Sequence, residues 1–141
     1  MYSKMIFSTI LLLYSIIHLK AQPHFTTHQL DNNSHGTVSL FSIDLDLDND
    51  IDIITAATED NQVIWWRNNG GSPLSWTKII IASNFFGAKS VYAGDIDGDG
   101  DNDIVACASD AAQIAIWINT GTNQLTFEKQ VVRNNYLWAH E

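Results

Sequence analysis

A chain of 141 residues, 45% hydrophobic and 16% charged, has the composition of one modest folded domain and not of a disordered tail. Seven basic against 16 acidic residues leave a net charge of −9, which repels phosphate backbones and anionic membranes and excludes nucleic acid as a partner. Ten of the acids stand in two nine-residue windows, 44–52 and 95–103, so the charge is local and points to a cation.

Residues 1–21 carry Lys4, an apolar and small-residue stretch from Met5 to Ile17 and a short polar end. This pattern predicts a signal peptide with cleavage after Ala21, since the apolar stretch falls short of the roughly 20 residues that cross a bilayer. Removing Lys4 and Lys20 leaves 16 acids against 5 bases, or −11, and no membrane span is expected after cleavage. The expected location is secreted, periplasmic or cell surface. Cys107 is the only cysteine, so no intramolecular disulfide forms.

From residue 25 onward the chain repeats with a period of 51. The shift takes Asp44, Asp46, Asp48, Asp50 and Asp52 to Asp95, Asp97, Asp99, Asp101 and Asp103, and Ile53, Trp66, Asn68 and Gly70 to Ile104, Trp117, Asn119 and Gly121. Comparing 25–75 with 76–126 gives 16 identities without a gap. A third copy begins at Phe127, where Lys129, Val131 and Val132 answer Lys78, Ile80 and Ile81. The predicted organisation is a signal peptide over 1–21, the outer strand of a preceding unit and a linker over 22–36, and repeat 1 over 37–87. Repeat 2 and the start of repeat 3 follow over 88–138, with a truncated end at 139–141.

Within each copy, short runs of β-branched and aromatic residues alternate with Gly, Asn and Asp. They predict strands over 37–43, 51–57, 62–67 and 76–81, then 88–94, 102–108, 113–118 and 127–132. Several strands, such as Ile51 to Ala57 and Ile114 to Ile118, lack clean polar alternation and contain small residues, which implies that both their faces are covered. The expected fold is all-β: an incomplete β-propeller of four-stranded antiparallel blades, two full repeats plus the start of a third. Trp66 and Trp117 recur at the repeat period inside strands, which favours packing between blades over a sugar-stacking platform. Cys107 replaces Ala56 in a run of small strand residues and is expected to be buried.

The second window reads Asp95, Ile96, Asp97, Gly98, Asp99, Gly100, Asp101, Asn102, Asp103, a DxDxDGxxD pattern. Oxygens at positions 1, 3, 5 and 9, with a carbonyl at 7 and water, match the six to eight hard oxygen ligands that Ca²⁺ prefers. Without a cation, two such carboxylates about 4 Å apart repel by up to roughly 4 kcal/mol at an effective dielectric of 20. The first window keeps every aspartate but has Leu47 and Asn49 where the second has Gly98 and Gly100, so its site is expected to be the weaker. An EF-hand is excluded because its bidentate acid at position 12 falls on Thr55 or Ala106. Zinc is excluded because His24, His28, His35 and His140 neither recur with the repeat nor cluster with Cys107.

These residues resemble the FG-GAP or VCBS repeat family, whose blades also form the propeller of integrin α subunits. The resemblance lies in Val91 to Asp95 running into the Asp95 to Asp103 loop and on into the apolar Ile104 to Ser109. It implies calcium held by the side chains of Asp95, Asp97, Asp99 and Asp103 with the carbonyl of Asp101, and by Asp44, Asp46, Asp48 and Asp52 with the carbonyl of Asp50.

No nucleophile motif, phosphate-binding glycine loop or acid and base pair outside the loops argues for chemistry, so the chain is not expected to be an enzyme. The functional expectation is an exported, non-catalytic calcium-binding adhesion or scaffold module with an extracellular protein or glycan as partner, and with self-association through uncovered blades. The alternative is a piece of a secreted enzyme acting on polysaccharide.

Overall fold

The computed structural model describes residues 27–121 and 125–134. The signal peptide expected over 1–21 and the end at 139–141 lie outside the described residues. So does the first part of the strand expected over 22–36, whose described part, 27–36, runs without strand pairing.

Eight strands form two antiparallel sheets, and no helix occurs among the described residues. The first sheet pairs β1 (Thr37–Ile43), β2 (Asp52–Ala57), β3 (Gln62–Asn68) and β4 (Trp76–Ala82) in chain order. The second pairs β5 (Ala88–Gly94), β6 (Asp103–Ala108), β7 (Gln113–Asn119) and β8 (Phe127–Arg133) in the same way. Each is a propeller-blade-like unit. The period of 51 shows in the pairing itself: Ile53 faces Trp66 as Ile104 faces Trp117, and a register shift between Thr37 and Ser39 returns between Ala88 and Ser90. Residues 127–133, which open the third copy in sequence register, serve as the outer strand of the second sheet. The expected bounds 37–87 and 88–138 therefore each hold one sheet, and the strand expected to start a third repeat completes the second sheet.

The apolar patterning explains how the sheets meet. β2 is covered on both faces, as expected, and so is β6, whereas β7 buries Ala115, Trp117 and Asn119 and leaves Ile114, Ile116 and Ile118 half-buried. Strand β5 packs on β1 and β2, and one core joins the sheets: Ile54, Val63 and Trp65 from the first meet Val91, Ala93, Ile104 and Trp117 from the second. Trp66 and Trp117 are both buried, each beneath a lysine, Lys78 at 5.1 Å and Lys129 at 5.5 Å from the ring. Trp117 packs in the core that joins the sheets, as expected, whereas Trp66 packs with Ala57 and Ile64 of its own sheet; Cys107 is buried as expected. Burial raises the Cys107 thiol above its ordinary pKa.

The turn over 58–61 ties the sheets together. Asn61 accepts the Phe85 N–H at its carbonyl and the Gly87 N–H at its side-chain oxygen, both at 2.9 Å. Phe85, so held, is buried edge-on against Trp117 with ring centroids 5.2 Å apart. Gly87 is required there: its φ is +71°, and a Cβ would stand 2.7 Å from the Asp110 backbone nitrogen.

Candidate metal centre

Both aspartate loops connect the first two strands of a sheet, so an apolar strand on either side fixes the ends of each. The loops wrap on their own carboxylates. In the first, Asp44 accepts the Asp48 N–H at 3.0 Å and the Asn49 N–H at 2.9 Å, while Asp48 accepts the Asp50 N–H at 2.9 Å. In the second, Asp95 accepts the Gly98 N–H at 2.7 Å and the Gly100 N–H at 3.1 Å, and Asp97 and Asp99 accept the N–H groups of Asp99 and Asp101. The wrap needs positive φ at two positions, supplied by Gly98 (84°) and Gly100 (99°) in the second loop but by Leu47 (58°) and Asn49 (73°) in the first. A leucine in that region is strained, whereas asparagine tolerates it.

The result is two groups of three carboxylates whose ligand oxygens lie within 4.8 Å of one another: Asp44, Asp46 and Asp48, and Asp95, Asp97 and Asp99. Each could hold a metal ion. Their oxygens are hard donors at one charge centre, suited to a cation such as calcium and unsuited to a soft metal. One atom fits this directly: Asp46 Oδ1 is buried and has no hydrogen-bond partner, although its side chain is only 6% exposed. Burial is the main reason that the Asp46 carboxyl is raised above its usual pKa, with the Asp52 charge adding to it and Arg67 opposing. Asp97 is raised as well, although exposed, with partial loss of water around its carboxyl the first cause and the neighbouring aspartate charges adding to it.

Asp50, Asp52, Asp101 and Asp103 fall outside the two triplets. Asp52 and Asp103 are fully buried, and each spends both oxygens on backbone N–H groups. Asp52 accepts from Leu45 at 3.2 Å and Asn68 at 2.7 Å; Asp103 accepts from Ile96 at 2.9 Å and Asn119 at 2.8 Å. These bonds tie each loop to the following hairpin. The Asp50 carboxylate lies against Gly70, where a Cβ would meet its Oδ2 at 2.5 Å. The EF-hand position falls on Thr55 and Ala106, both inside strands.

Two residues of the site escaped the sequence reading. Arg67 on β3 sets its Nε 2.7 Å from Asp46 Oδ2 and Nη2 3.8 Å from Asp48 Oδ2. Asn102 of the second loop donates from Nδ2 to the Asp44 carbonyl oxygen at 2.8 Å, joining the two loops directly. Both signals stood in the repeat alignment, where Arg67 answers Ile118 and Asn102 answers Ile51, but there they read as mere divergence. Between the loops lies a cleft lined by Asp46, Asp48, Trp65, Arg67 and Asp101.

Residues 44–106 match the family model described as the FG-GAP-like repeat, in agreement with the resemblance that the loops carry. No curated protein and no solved structure matches the chain.

Proposed function

We propose, with the FG-GAP-like repeat over 44–106 as the premise, that this chain is an exported, non-catalytic binding or scaffold module whose blade-like sheets form part of a β-propeller and whose loops hold Ca²⁺. The observation that carries the reading is the pair of three-carboxylate groups standing 51 residues apart, with the buried Asp46 Oδ1 left without a protein donor. Calcium suits such loops better than magnesium, which demands a tighter octahedron and keeps its waters. The triplets supply three side chains, and loop carbonyls, Asp50 and Asp101 among them, together with water complete the set. Asp52 and Asp103 act from behind, as anchors of loop shape.

Bound calcium screens the repulsion within each triplet and so stabilises the folded chain by linkage. Calorimetry should find two sites in the weak range of extracellular modules, about 10⁻⁴ to 10⁻³ M, with the Asp95 loop the tighter. Calcium should raise the melting temperature. Asp99→Ala should remove most of that gain, whereas Asp110→Ala, beyond the loop, should keep it. No calcium binding up to about 10 mM, an order of magnitude above that range, would sink the reading.

Export follows from residues 1–21, and the partner is an extracellular protein or glycan. Mass spectrometry of extracellular or periplasmic material should find the chain starting at Gln22; soluble protein retaining Met1 contradicts this.

A further inference from the structure

The 51-residue shift that superimposes the two loops takes Arg67 to Ile118, on the equivalent strands β3 and β7 and one residue beyond the equivalent Trp66 and Trp117. At the first loop this position supplies a guanidinium 2.7 Å from Asp46 and 3.8 Å from Asp48. At the second it supplies an aliphatic side chain that brings no charge. Arg67 bonds one oxygen of the Asp46 carboxylate and leaves the other, Oδ1, buried and without a partner, so the arginine only half satisfies a carboxylate that is itself nine-tenths buried.

We infer that Arg67 is a tethered counter-cation that separates the two loops in function: it holds the first loop together without a divalent ion and lowers that loop's affinity for one, leaving the Asp95 loop to respond to calcium. This rests on the calcium reading above. The guanidinium is charged at every accessible pH and presents a fixed fork to carboxylates. A divalent ion on Asp46 Oδ1 would share that carboxylate with it. Even with full water screening, a double and a single positive charge about 6 Å apart repel by about tenfold in affinity. The same charge offsets the repulsion among Asp44, Asp46 and Asp48, which the second loop lacks the means to do from position 118. Strain at Leu47 acts in the same direction but cannot be mistaken for Arg67, since only the charge responds to the substitutions below.

The test isolates the first loop by adding Arg67 substitutions to the full chain carrying Asp99→Ala, with calcium binding read by calorimetry. Arg67→Ile, which copies the residue of the second repeat, should tighten the remaining site about tenfold or more. Arg67→Gln, uncharged but polar, should do the same, and Arg67→Lys should leave the site weak. The reciprocal Ile118→Arg in the otherwise unaltered chain should weaken the Asp95 loop. A first loop with equal affinity across Arg, Lys, Gln and Ile, in a protein whose unaltered chain binds calcium at the Asp95 loop, overturns the inference alone. An unaltered chain in which neither loop binds calcium overturns the calcium reading as well.

Discussion

Asp103 and Asp99 belong to one loop yet differ in kind. Asp103 is fully buried with its oxygens accepting the Ile96 and Asn119 N–H groups, whereas Asp99 is exposed. Replacing Asp103 by alanine strands two buried donors, each costing about 1–3 kcal/mol, so Asp103→Ala should lose about 3 kcal/mol in the presence of a chelator. Asp99→Ala should change chelated stability by less than about 0.5 kcal/mol, as an exposed substitution does. Urea titrations with and without calcium check both, and equal losses in chelator would remove the distinction between anchor and ligand. Strain at Leu47 adds a second residue-scale difference: its φ of 58° costs about 1–2 kcal/mol, and the glycines of the second loop avoid it.

At the scale of the loop, burial and mutual repulsion act on the carboxylates together. Asp46, Asp52 and Asp97 are all raised above the ordinary aspartate pKa, with loss of water around the carboxyl the first cause in each. The sign follows from linkage. A carboxyl raised by folding favours the folded state while protonated, and that contribution is lost as pH rises through its folded value. The ion-free loop is therefore at its least favourable near neutral pH, where calcium, which needs deprotonated ligands, has most to offset. The calcium-induced rise in melting temperature should be greatest near neutral pH and shrink on acidification, beginning above the ordinary aspartate range. A gain that stays constant down to pH about 4, near the unperturbed carboxyl value, would contradict this. Asn102, bonded to the Asp44 carbonyl, ties the neighbouring loop into the same unit.

Across the whole molecule, equivalent residues of the two sheets meet different surroundings. Leu45 is fully buried, whereas its counterpart Ile96 is 42% exposed; Phe41 is half-buried in the core, whereas Tyr92 is exposed. On the opposite side Leu40 is 59% exposed, whereas its counterpart Val91 is buried. Apolar positions that one sheet buries are thus exposed at equivalent places of the other, Tyr92 among them although its ring lies 4.5 Å from that of Phe41. Exposed apolar side chains of this kind favour contact between copies. The chain from residue 22 should self-associate, and light scattering with concentration-dependent melting reports it. A strict monomer with a cooperative, high melting temperature would contradict this expectation.

The sequence by itself determined the repeat, the eight strands to within a residue or two and the two loops, because β alternation, turn residues and an identity every 51 positions are local or periodic signals. It also marked Leu47 and Asn49 as departures from the glycines, which the positive φ angles bear out. Tertiary structure decided the rest. Asp52 and Asp103 turned inward to hairpin amides, and Arg67 reached the first loop from β3, because both depend on which strand stands beside the loop in space. Pattern spacing ranks Asp52 and Asp103 with the other side-chain ligands; full burial among hairpin amides sets these two apart from the triplets, since a carboxylate's role follows from the donors that fold around it.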